Sequence, residues 1–227
     1  MKFPRIVRET LAAVMLLGAA AMAHADVIYT FTAKDASLAI GGGPYGTVLL
    51  HQNGTSMDVT VSLRFDLNFV NTGGPHSIFS FNANGVSAGE ISNILFNGAV
   101  NNNVTVVAPG ANQPFGTNFS LMLDCTAQAC QNGAPGQTVD PLTFTIALAT
   151  YNDFGFFAPG TTASFASDII CVTGACNGNT GAIGVVTPGE DPRVPGNSVP
   201  EPASLALMAL GLAGVAGLSR RRARARQ

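Results

Sequence analysis

The chain has no tryptophan, and only 11% of its 227 residues are charged. Surface helices normally carry many Lys, Glu and Arg side chains, so a composition this poor in charge argues against a helical protein. Basic residues are scarcest in the middle. Between Asp26 and Val199 only Lys34, Arg64 and Arg193 stand against eleven carboxylates, a local net charge of −8 that the overall value of −2 conceals. Three scattered cations cannot neutralise a row of phosphates, which argues against nucleic acid as a partner. Catalytic signatures are missing too: there is no G-x-S-x-G elbow, H-E-x-x-H zinc helix or phosphate-binding glycine loop. The GGGP run at Gly41–Pro44 precedes no helical pattern and reads as a turn.

Glycine is abundant, with 26 residues, and asparagine is frequent in the same segments. Between them lie stretches with a two-residue hydrophobic period, the pattern of strands with one buried and one wet face. The clearest is MDVTVSLRFDLNFV, in which Met57, Val59, Val61, Leu63, Phe65, Leu67 and Phe69 alternate with polar residues. PLTFTIALAT repeats the pattern with Leu142, Phe144, Ile146 and Leu148, and TNFSLMLD with Phe119, Leu121 and Leu123. Shorter candidates cover 27–32, 47–51, 78–82, 91–96, 104–107 and 164–172. About nine strands separated by Gly, Asn and Pro predict a single all-β domain over 26–186, an antiparallel β-sandwich or jelly roll. Five prolines in TPGEDPRVPGNSVPEP make 187–199 a linker.

The two ends differ from the body. Lys2, Arg5 and Arg8 precede an apolar stretch from Leu11 to Ala23, and Ala23-His24-Ala25 follows as a small-x-small site. This order predicts a signal peptide over 1–25, cleaved after Ala25. Near the C-terminus the uncharged run Ala203–Ser219 would be about 25 Å long as a helix, at the lower limit for a hydrocarbon core of about 30 Å. Gly211, Gly214 and Gly217 would give that helix a smooth stripe. Arg220, Arg221, Arg222, Arg224 and Arg226 form a basic end that is hard to translocate and should stay cytoplasmic, leaving the body outside.

Val199-Pro200-Glu201-Pro202, the glycine- and alanine-rich run and the terminal arginines together resemble the PEP-CTERM sorting signal of Gram-negative bacteria. The resemblance covers about thirty residues, 200–227 with the residues just before them. It implies that Pro200, Glu201 and Pro202 are recognised by an exosortase, a membrane-embedded processing enzyme. It also implies an exported protein that passes transiently through the inner membrane to the cell surface or extracellular matrix, associated with exopolysaccharide and biofilm. Two prolines fix φ and cannot continue a helix or join a sheet, which suits a segment kept extended for recognition.

CTAQAC and CVTGAC place Cys125 with Cys130 and Cys171 with Cys176 in matching frames, each after a strand-like segment. In an exported protein an even cysteine count points to disulfides, and the local pairs Cys125–Cys130 and Cys171–Cys176 are favoured. Crossed pairs and a four-thiolate zinc site are the alternatives. His51 ends a strand and His76 lies in the turn TGGPHS, so both are expected to be exposed structural histidines. No cofactor is expected; calcium is the one the oxygen-rich loops could take, although no D-x-[DN]-x-[DN]-G loop is present. The expectation is a non-catalytic surface or matrix protein. A carbohydrate-binding or adhesive module comes second, and a secreted glycoside hydrolase using two of the scattered carboxylates comes third.

Overall fold

The computed structural model describes residues 26–125 and 140–186. Fifteen strands follow in order: β1 (Val27–Phe31), β2 (Ala33–Lys34), β3 (Gly46–Asn53), β4 (Ser56–Leu63), β5 (Leu67–Phe69), β6 (Phe79–Phe81), β7 (Ile91–Phe96), β8 (Ala99–Val100), β9 (Val104–Val107), β10 (Gly110–Asn112), β11 (Gly116–Phe119), β12 (Leu121–Cys125), β13 (Leu142–Ala147), β14 (Phe165–Cys171) and β15 (Thr180–Val185). Among the described residues the helical elements are short 3-10 turns, at Ala88–Glu90, Tyr151–Asp153 and Gly174–Cys176. The all-β expectation holds for the described residues.

The strands form two large antiparallel sheets. One has the order β1-β3-β4-β13-β7-β8; the other runs β2-β15-β14-β6-β12-β9, with β5 also pairing with β14. In β4 every second residue is buried, and Met57, Val59 and Val61 are the alternate positions the sequence marks. The β3–β4 hairpin closes through Gly54-Thr55, where Gly54 takes a φ of +61° that glycine adopts without strain. At Thr32 the chain leaves the first sheet, so β1 and β2 sit in different sheets.

The two sheets share one aromatic core. Tyr29 of the first sheet lies 4.9 Å from Phe165 of the second, Phe96 meets Phe69 edge-on at 5.8 Å, and Phe144 contacts both Phe79 and Phe81. Aromatic pairs at these separations add to the stabilisation their buried area already gives.

Two of the long sequence alternations break where the structure changes layer. MDVTVSLRFDLNFV is not one strand: β4 ends at Leu63, a turn follows in which the Leu67 amide donates to the Arg64 carbonyl, and β5 resumes in the other sheet. Phe65, expected to be buried, sits on that turn and is 90% exposed. Leu148 likewise falls just past the end of β13 with φ +57° and is 74% exposed. TNFSLMLD divides at Ser120 into β11 and β12.

The second sheet also carries a layer on its outer face. Phe115 and Phe119, from the β10–β11 hairpin and its turn, pack with Ala163, Ala166 and Ala182 in a small second cluster. All seven residues of β14 are therefore buried, on both faces.

Candidate functional site

β5 and β6 lie end to end along the same edge of β14, with Ile169 facing Phe69 and Ala166 facing Ser80. The residues between them leave the sheet as a loop, and Asp168 pinches its base. The Asp168 carbonyl accepts the Val70 amide at 3.1 Å, and the Asp168 amide donates to the Ser77 carbonyl at 3.2 Å. The Asp168 side chain follows the loop: its Oδ2 accepts the Thr72 amide at 2.7 Å and the Thr72 hydroxyl at 2.6 Å. Asn71 Nδ2 donates to Asp124 Oδ1, and Asn71 Oδ1 accepts the Gly73 amide, which shapes the outer bend.

The loop rests on the strand before the outer hairpin turn. Ser77 Oγ donates to the Ala111 carbonyl at 2.8 Å, Asn112 Nδ2 to the Ser77 carbonyl at 2.9 Å, and the Gln113 amide to the Pro75 carbonyl at 3.0 Å. Ser77, Ser80, Asn112 and Asp168 are all fully buried. Burying polar groups costs free energy unless each finds a partner.

Three atoms in this group do not find one. Asp168 Oδ1, Asn112 Oδ1 and His76 Nδ1 are buried with no hydrogen-bonding partner. Burial pushes the Asp168 carboxyl above the usual carboxylate range, against the Thr72 hydrogen bonds and the charge of His76, which act to lower it. His76 is thus a half-buried member of a polar cluster, with one ring nitrogen inside; the expected exposed turn histidine is corrected by the docking of its loop on 111–113.

His51 fits its expectation. It is exposed on β3, and Nδ1 lies 2.6 Å from Asp26 Oδ1. That hydrogen bond, with the Asp26 charge behind it, raises the imidazole pKa above its ordinary value.

Cys171 and Cys176 are joined in a disulfide that closes the loop after β14. The bond rules out crossed pairing of the two frames and leaves too few thiolates for a four-cysteine zinc site. Cys125 is buried and disulfide-bonded, and Cys130 lies outside the described residues. An Asp66 carboxylate oxygen lies within 4.8 Å of both Cys171 and Cys176 sulfurs, but those sulfurs are bonded to each other. Asp66 is occupied by Arg64, whose Nε and Nη2 reach its two oxygens at 2.6 and 2.9 Å, and whose guanidinium sits 5.4 Å over the Tyr45 ring.

The sequence-marked sorting residues Pro200, Glu201 and Pro202, the basic cluster Arg220, Arg221, Arg222, Arg224 and Arg226, and the cleavage residues Ala23 and Ala25 all lie outside the described residues. So do the linker and both end segments. Comparison with known families supplies what the structure does not: residues 198–222 match the family model described as the PEP-CTERM protein-sorting motif. No curated protein and no solved structure matches the chain. The motif implies processing by an exosortase and export through the membrane to the cell surface of a Gram-negative bacterium.

Proposed function

We propose that this is a non-catalytic exported β-protein, delivered by its C-terminal signal to an exosortase and then held at the cell surface or in an exopolysaccharide-rich extracellular matrix. The observation that carries the reading is the sorting motif at 198–222 on a chain whose described body is two antiparallel sheets. In this account 1–25 is a cleaved signal peptide, and 203–219 crosses the inner membrane until processing, with the arginines as stop and orientation mark.

The test separates the two parts of the tail. Replacing Pro200, Glu201 and Pro202 with Ala leaves the apolar run and arginines intact, so unprocessed protein should accumulate in the inner membrane. Replacing the five arginines with Ser removes the barrier to translocation, roughly 2.5–3.5 kcal/mol per charge at the bilayer centre, and should release unprocessed protein. Release of mature protein at the normal rate from both variants would refute the reading.

A carbohydrate-binding or adhesive role is the second reading. It is favoured by Phe156 and Phe157, adjacent on one loop and each 36% exposed, together with the protruding Phe65. Binding of the exported protein to a glycan array, lost on Phe156→Ala or Phe157→Ala, would establish it.

A further inference from the structure

One cross-strand row runs unbroken over the outer face of the first sheet. Ile28 of β1 pairs with Leu49 of β3, Leu49 with Thr60 of β4, Thr60 with Thr143 of β13, Thr143 with Leu95 of β7, and Leu95 with Val100 of β8. Side chains alternate along a strand, and the neighbours Tyr29, Val48, Val59, Phe144 and Phe96 are buried, so the row lies outside. At its two ends Ile28 and Val100 are 64% and 69% exposed, and Leu49 and Leu95 are half-buried. The solvated face of an antiparallel sheet normally reads as polar, whereas four of these six residues are aliphatic.

The row reads alike from either end: aliphatic, Leu, Thr, Thr, Leu, aliphatic. That is the symmetry a two-fold contact needs, because an isologous interface sets a patch on its own copy. An axis parallel to the strands, running between β4 and β13, lays Leu49 on Leu95 of the second copy, Thr60 on Thr143 and Ile28 on Val100.

Charge follows the same arrangement. In these six strands the charged side chains are His51 and Asp58, a cross-strand pair in the next outward row, which continues through Thr145 to Ser92. The same axis sets Asp58 against Thr145 and His51 against Ser92, so no like charges meet. A body of net charge −8 repels its own copies, and a face almost free of charge is where two of them approach at least cost. The aromatic residues of these strands, Tyr29, Phe31, Phe96 and Phe144, are all buried, which leaves the face without a ring for a sugar to stack on.

We propose that the outer face of the first sheet is a self-association surface that joins two copies of this chain about the β4–β13 seam. Six strands about 4.8 Å apart, averaging about six residues at about 3.3 Å each, cover roughly 600 Å2 per copy. Two copies together bury about 1,200 Å2, the low end for a specific interface, so the dimer is weak and forms where the protein is concentrated.

The test uses the exported chain recovered from its host with its disulfides intact. Sedimentation velocity over a wide range of concentration should show a reversible monomer–dimer equilibrium. Leu49→Lys and Leu95→Glu should each weaken it at least tenfold with the far-ultraviolet spectrum unchanged. Two strands separate these positions within a chain, so the double variant should regain most of the loss only if Leu49 faces Leu95 of the second copy. Ile28→Lys, at an exposed side chain, should weaken association without touching the fold, and Phe65→Ser, off this face, should associate as the parent does. The proposal is overturned if the parent stays monomeric at its highest soluble concentration, if the single variants dimerise as the parent does, or if the double variant dimerises no better than either single one. A monomeric parent whose binding on a glycan array is lost with Leu49→Lys would also overturn it and give the face to a polysaccharide.

Discussion

Leu63 ends β4 by donating its backbone amide to Asp140 Oδ1 at 2.7 Å. The β4–β13 register, in which Val61 faces Leu142, would put Asp140 opposite Leu63, so a side-chain oxygen takes the place of the next backbone acceptor and closes the ladder. Burial raises the Asp140 pKa despite that hydrogen bond. A carboxyl with a raised folded pKa stabilises the fold at low pH and loses that contribution as pH rises through it. The parent protein should therefore lose a little stability above the acidic range. Asp140→Asn, which keeps the acceptor without the charge, should not show that loss, and Asp140→Ala should cost about 1–2 kcal/mol at pH 4 and less at pH 7. Urea unfolding of the three proteins at pH 4 and pH 7 measures this.

The layer change at Phe65 makes a contrast between near neighbours. Phe65→Ser should move stability by no more than about 0.5 kcal/mol because the ring is in solvent. Phe69→Ala removes a buried ring that packs on Phe96 and should cost about 3–5 kcal/mol. Equal effects from the two, measured by denaturant unfolding, would contradict the crossing.

Gly184 is set by contact, since a Cβ there would lie 2.7 Å from Phe115 Cδ1. Gly184→Ala should destabilise by about 1–3 kcal/mol through overpacking. Combining it with Phe115→Leu should recover part of the loss, and simple additivity in the double-mutant cycle would count against this contact.

His51 and Asp26 give a pH signature. The folded imidazole pKa is raised, so the pair helps hold β1 against β3 below the ordinary histidine pKa, and the help fades as pH rises through the folded value. An NMR titration should place the His51 midpoint above that of the same histidine in Asp26→Asn.

Replacing both Cys171 and Cys176 with Ser should lower stability by about 2 kcal/mol, as expected for so short a loop. The change should destabilise the end of β14 first, as faster amide exchange at Ile169 and Ile170.

Strands with one wet face were legible in the sequence: β4 and β13 fall where periodicity puts them, apart from the overruns at Phe65 and Leu148, and β7 and β9 match two of the shorter candidates. Periodicity cannot see a change of layer. The alternation through Phe65 and the one through Ser120 both run unbroken across positions where the chain passes from one set of neighbours to another. β15 escaped notice because TGAIGV offers little pattern: its glycines are there to admit Leu38 and Phe115 at close range. The buried cluster gave no local signal either. Its members come from 71–77, 112 and 168, and only the fold brings them together. The tail was the reverse case, legible as a motif because its recognition depends on a contiguous stretch.

The pairing of Lys34 with Ile183 sets an order for folding. A secreted chain leaves the cell N-terminus first, yet one edge of the second sheet is β2, which must wait for β15 at the far end of the domain. Contacts so distant in sequence form slowly, because a long loop must close before they are made. β2 therefore stays unpaired until nearly all of the body has emerged, while the β3–β4 hairpin needs no such wait.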